Sequence, residues 1–229
     1  MNPILEILDV SKVYQEGAAK VVAVDSVSLS IKKGEALLIM GPSGSGKTTL
    51  LSMMGCILHP TKGDVVVDGR MVGNLTEDAL PDIRKKYFGF VFQSFNLFPS
   101  LTSAENVEAV LRLKGWDKKE LKTESVNLLK KVGLGERADF YPRDLSGGEK
   151  QRVAFARALA GEPPIILADE PTANLDSRTG KDVLGVLRNL AVESGKAVVI
   201  VSHDPNALDV AHTVVHLEDG KIISQEKPT

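Results

Sequence analysis

Two short stretches carry residue types and spacings that suit phosphate chemistry. "GPSGSGKT", residues 41 to 48, fits G-x-x-x-x-G-K-[ST] between an apolar run and the helical pattern "TTLLSMMGC". Gly41, Gly44 and Gly46 let the backbone amides of the loop, with Pro42, Ser43, Ser45 and Thr49, curl around phosphate oxygens. Lys47 brings a positive charge to the β- and γ-phosphates, and the Thr48 hydroxyl suits Mg²⁺. The other stretch, "IILADEP" at 165 to 171, is an apolar strand ending in two acids. A buried strand carries Asp169 to the carboxyl edge of a sheet, where open α/β folds bind ligands. Asp169 there joins the Mg²⁺ shell, and Glu170 polarises a water for in-line attack on the γ-phosphate. Alone, a pair of acids at a strand end more often caps the next helix. The phosphate loop in the same chain reverses that preference.

Further stretches add candidates. In "LSGGEKQR", 145 to 152, Ser146 and Glu149 have capping-box spacing at a helix start. Capping does not call for Gly147 and Gly148, because glycine in a first turn costs about 1 kcal/mol relative to alanine. Bare backbone at a helix N-terminus instead admits an anion. "VSHD" brings His203 to the same sheet edge as Asp169. His212 and His216 have the spacing of a metal pair, but "HTVVH" is β-branched and no Glu follows His212, which rules out a zincin-type site. Cys56, Met53 and Met54 read as core packing on the phosphate-loop helix. Tyr14, in "SKVY", reads equally as an exposed edge aromatic or as a platform for a base.

The elements that must position these residues follow from hydropathy patterning. "EALLIM" (35 to 40), "IILAD" (165 to 169) and "AVVIVS" (197 to 202) are buried strands, and the helical patterns between them imply a parallel sheet. "ILEILDV", "VVAVDSVSLSI" and "DVVVDGRMV" predict an antiparallel layer at the start, and "TVVHLEDGKII" an Asp-Gly hairpin at the end. From about 100 to 148 the β pattern disappears. "LTSAENVEAVLRLKG" opens with a Thr102 to Glu105 capping pattern, and "ELKTESVNLLKKVGL" follows as an amphipathic helix. The chain of 229 residues carries a net charge of -2, which gives no global basic field for nucleic acid. Its one cysteine excludes an internal disulfide. "MNPILEILDV" lacks the basic start of a signal peptide, and no apolar run reaches the roughly 18 residues of a membrane span. A soluble chain is expected.

"GPSGSGKT", Gln93 in "VFQSFN", "LSGGEKQR", "ILADEP", "NLD" and "SHD" stand in the order found in ATP-binding cassette (ABC) ATPases, which the whole chain resembles. The resemblance implies an α/β P-loop cassette with a mostly parallel core sheet, an N-terminal antiparallel β layer and a helical insert. It forms one domain over 1-229, with core and β layer at about 1-93 and 149-229 and the insert at about 94-148. It further implies that two copies sandwich two Mg-ATP head to tail, the signature of one facing the γ-phosphate held by the other. Ser146, Gly147, Gly148 and Asp176 then contact ATP in trans. Tyr14 stacks on adenine, Gln93 senses Mg²⁺ and the attacking water, Glu170 is the general base and His203 meets the γ-phosphate. Thr48, Gln93 and Asp169 make up the Mg²⁺ set. Lys150, a local departure, falls on a solvated helix face.

"ALPDIRKKYFGFVFQSFNLFPSLTSAENV" and "PTANLD" are similar to the lipoprotein-releasing and macrolide-efflux branch of export ATPases. That branch implies an integral membrane permease partner with a large extracytoplasmic domain, and a peripheral place on the cytoplasmic face. An amino-acid importer's ATPase is the alternative, and a soluble non-transport cassette the more distant one. Phe95, Leu97, Phe98 and Leu101 either pack inside the insert or line a groove for a helix of the partner.

Overall fold

The computed structural model describes residues 2–16, 19–73, 75–227. Two sheets organise them. The first is antiparallel, built from β1 (Leu5–Glu16), β2 (Ala19–Ile31), β4 (Lys62–Val67) and β5 (Arg70–Met71) in the order β2-β1-β4-β5. The second contains β3 (Ala36–Met40), β6 (Phe88–Val91), β7 (Ile165–Asp169), β8 (Ala197–Val201), β9 (Thr213–Glu218) and β10 (Lys221–Glu226). Its order is β10-β9-β3-β8-β7-β6, parallel throughout except for the β9-β10 hairpin. Six α-helices occur among the described residues: α1 (Lys47–Met54), α2 (Leu80–Tyr87), α3 (Ser103–Leu113), α4 (Leu121–Lys131), α5 (Gly147–Leu159) and α6 (Ser177–Val192). The fold class is the one the sequence implies, with a parallel core and an antiparallel layer beside it.

The parallel strands are buried on both faces, which is why they read as continuous apolar runs. Alternate side chains go to opposite cores, as the pleat requires. Leu37 and Ile39 of β3 join Val199 and Val201 of β8 against β1, β2 and α1. Leu38, Val198 and Ile200 point the other way, into a core shared with α3, α4, α5 and α6. The strands thus form a two-faced platform whose carboxyl edge presents the ends of β3, β7 and β8.

Two helix starts follow their predicted chemistry. Thr102 and Glu105 close a full capping box on α3, and Ser146 and Glu149 do the same on α5. "HTVVH" enters strand β9 at Thr213, with the Nδ1 of His212, just before the strand, accepting from the Ala36 amide at 3.0 Å and His216 beside Glu226. Cys56 is buried with Met53 and Met54, and desolvation pushes its thiol up to about 12. It is an inert core residue.

Candidate functional site

The loop between β3 and α1 forms one wall of a cleft of ≈ 570 Å³. Gly46 caps α1 in a left-handed conformation with no side-chain acceptor, so the helix presents bare amides. Lys47 is buried and its Nζ donates to the carbonyls of Gly41 and Pro42, each at 2.8 Å. The rest of the lining comes from distant segments: Ala23 of β2, Gln93 after β6, Glu170 after β7 and His203 after β8. Each follows a strand of the platform or faces the loop from the antiparallel sheet.

At the cleft floor the Thr48 hydroxyl donates to Oδ1 of Asp169 at 3.2 Å. Burial raises the Asp169 carboxyl above its usual range; the Thr48 bond and Lys47 lower it, and neighbouring Glu170 raises it further. Glu170 takes a left-handed backbone, φ 45, with its amide bonded to the Val201 carbonyl at 2.8 Å. That turn lifts the carboxylate off the strand direction and towards His203. The His203 Nδ1 donates to Oε1 at 3.0 Å. Oε2 lies 2.9 Å from the same nitrogen, but out of hydrogen-bond alignment, so it is buried without a donor among the described residues. His203 itself is exposed, and its loop is pinned by Asp204, which accepts from Thr172 Oγ1 at 3.0 Å and from Asn206.

A hydroxyl, a carboxylate and the Gln93 amide make an all-oxygen donor set. Mg²⁺ sites of one or two carboxylates completed by substrate phosphates need just such a set, so the residues fit the ion. No cluster of three or more His, Cys, Asp or Glu able to hold a metal occurs among the described residues.

Other expected residues lie apart from this cleft. Tyr14 sits on β1, 39% exposed, with Lys12 Nζ 5.5 Å from its ring centre; Ala23 and not Tyr14 lines the cleft. Ser146 is exposed at the N-cap of α5, and Asp176 caps α6 by accepting from the amides of Arg178 and Thr179. A Cβ at Gly148 would lie 2.3 Å from Thr179 Cγ2, so close packing of α5 on α6 gives this position its own reason to be glycine. Lys150 is half-buried, not on a fully solvated face. Phe98 is 52% exposed at a cleft of ≈ 290 Å³ shared with Phe88, Phe90, Phe92 and Leu113. Leu97 packs inward.

Three contacts around the cleft have no local signature. Asn174 Nδ2 donates to the Gln93 carbonyl at 3.0 Å. Arg157 of α5 donates to the carbonyls of Phe95, at 2.7 Å, and Asn96. Both acceptors have positive φ, so a buried guanidinium clamps a strained turn just after Gln93. Gln151 of α5 reaches the segment after Glu170.

The family model described as "ABC transporter" matches residues 24–173. An uncharacterized ABC transporter ATP-binding protein of Thermotoga maritima is 46% identical, the match covering 99% of this chain and 97% of the relative. A macrolide export ATP-binding/permease protein MacB of Salmonella choleraesuis is 43% identical over 99% of this chain, which spans 36% of that longer protein. Among solved structures, the cassette MJ0796, whose full-length relative is from Methanocaldococcus jannaschii, superposes with a TM-score of 0.92 at 44% identity. The match covers 98% of this chain and 99% of that one, a dimer in a post-hydrolysis state bound to ADP and Pi.

Proposed function

The chain belongs to the ABC transporter family, and from that premise we propose that its cleft is the ATP-hydrolysing site of a sandwich dimer that drives a membrane permease. It is an ATPase subunit of a transporter. Lys47 and the loop amides bind the β- and γ-phosphates. Oε2 of Glu170, which has no hydrogen-bond donor among the described residues, accepts the proton of the attacking water, and His203 meets the γ-phosphate. Thr48, Asp169 and Gln93 would hold Mg²⁺, which would neutralise phosphate charge when bound. Tyr14 serves the base. Ser146, Gly147 and Gly148 complete the site of a second copy, and Asp176 joins the two sites through the helix start it caps. The dimeric MJ0796 structures support this arrangement.

The export branch is favoured over an importer, because relatives of 43% identity are named for macrolide export and join an ATP-binding part to a permease. No helix among the described residues is long and apolar enough to cross a membrane, so attachment to the cytoplasmic face runs through the partner. The observation that carries the reading is the meeting of Lys47, Thr48, Gln93, Glu170 and His203, from separate segments, in one cleft. Purified chain is expected to hydrolyse ATP only with a divalent cation, and Lys47→Ala to lose nucleotide binding. Hydrolysis that survives chelation, or parental binding by Lys47→Ala, would exclude this cleft.

A further inference from the structure

Ser146 caps helix α5, which carries Gln151 within its second turn. Gln151 is 1% exposed. Its Nε2 donates to the carbonyl of Pro171 at 2.8 Å, while its Oε1 is buried with no hydrogen-bond donor among the described residues. An apolar side chain of the same length would fill this place without stranding an acceptor. What the amide alone supplies is the donor to Pro171. Pro171 follows Glu170 directly and has no N–H of its own; on that side the Glu170 carbonyl accepts from the Ala173 amide at 3.2 Å, and the Pro171 carbonyl is the next polar backbone group. On the other side Val201 holds the Glu170 amide. The left-handed turn at Glu170 is therefore gripped by β8 from before and by α5 from behind.

We infer that Gln151 is a positioning residue for the Glu170 carboxylate, and that it passes the state of the Ser146 end of α5 to that carboxylate. The inference rests on the reading that Glu170 is the base of its own chain's site while Ser146 faces the partner's nucleotide. The two residues serve different ATP sites, yet one rigid helix joins Ser146, its N-cap, to Gln151, which holds the carbonyl next to Glu170. A shift of α5 as Ser146 closes on the partner's nucleotide moves Gln151 with it. The hydrogen bond then turns the Pro171 carbonyl, and with it the strained peptide that aims Glu170. Occupancy of one site thus sets the aim of the base in the other.

Mixed dimers test this. One chain carries Glu170→Gln, leaving a single working carboxylate. Gln151→Met, which keeps length and loses the donor, is placed either beside the working Glu170 or in the Glu170→Gln chain, which supplies only its signature to the working site. Beside the working carboxylate, kcat is expected to fall about tenfold or more with KM for ATP unchanged, since small misplacements of a reacting group cost that much. In the other arrangement the loss is expected to be much smaller. Equal losses, a larger loss in the second arrangement, or no loss in the first would overturn the proposal and assign Gln151 to the shape of the signature helix. Gln151→Glu is the second variant. Its carboxylate cannot donate to Pro171, but its protonated form can, so activity relative to the parent is expected to recover as pH falls. A flat ratio counts against the proposal. Parental hydrolysis with Glu170→Gln in both chains would instead remove the underlying reading of the base, before Gln151 is brought in.

Discussion

Glu170 pairs with His203, whose Nδ1 bonds Oε1 at 3.0 Å and lies 2.9 Å from Oε2, and Oε2 has no hydrogen-bond donor among the described residues. An acceptor-only oxygen in a cleft beside Lys47 and Thr48 is placed to take a proton from water. Glu170→Gln replaces a proton acceptor by an amide of the same shape. Hydrolysis is expected to fall about a hundred- to ten-thousand-fold, with ATP binding retained and an ATP-bound dimer persisting on size exclusion. Near-normal turnover would refute the role of Glu170.

Lys47 and Ser146 lie at different sites of this chain, one buried in the phosphate loop and one exposed at the start of α5. Lys47→Ala is expected to weaken nucleotide binding by the isolated chain. Ser146→Arg should leave that binding intact while blocking ATP-driven dimerisation and hydrolysis. Titration of a fluorescent ATP analogue into each variant decides it: equal weakening by both substitutions rules out service in trans.

Phe98 has an exposed ring on a held backbone. Its amide donates to Asn106 Oδ1 at 2.8 Å and its carbonyl accepts from Asn106 Nδ2 at 3.2 Å. A charged side chain at this position should therefore spare the fold. Phe98→Glu is expected to keep the basal ATPase of the chain within about twofold and to lose co-purification with a membrane permease, as anchors in apolar clefts dominate binding. A folded, active variant that still couples fully would remove Phe98 from the interface.

Burial, aided by the nearby Lys196 charge, lowers the Lys114 ammonium to about 8, and its Nζ has no hydrogen-bond partner among the described residues. The unfolded chain holds this proton up to the ordinary lysine range, so between about pH 8 and 10 it binds more protons than the folded one. Stability from this group accordingly rises with pH across that window. Lys114→Met is expected to raise the melting temperature at neutral pH by about 2–4 °C, with the gap closing as pH rises. Melts at two pH values measure it; a gap that widens with pH would show the opposite sign.

The sequence was most legible where the signal is local. The apolar runs became β3, β7 and β8, and the spacings Thr102 to Glu105 and Ser146 to Glu149 became capping boxes. These rest on strand and helix-end rules that act within a few residues. What stayed hidden were contacts between distant segments without periodicity: Gln151 to Pro171, Arg157 to the turn at Phe95 and Asn96, and Asn174 to Gln93. Gly148 illustrates the same boundary. A bare helix start suits an anion, and the structure adds a threonine of α6 that a side chain here would strike. Tyr14 reads two ways in the sequence, and its position on β1 follows from pairing with β2 rather than from its own neighbours in sequence.

The strand that delivers the phosphate loop is sandwiched between β8 and β9, both from the last part of the chain. The loop itself rests against that tail: a side chain at Gly41 would strike the Leu217 carbonyl, and the Gly220 amide donates to the Ser45 carbonyl at 3.1 Å. On a ribosome these partners emerge long after the loop they shape. A nascent chain that has delivered Lys47 but not yet residue 220 lacks the wall on which Gly41 and Ser45 are moulded. Nucleotide capture is thereby expected to be a late event of synthesis, waiting on the residues that wall the loop.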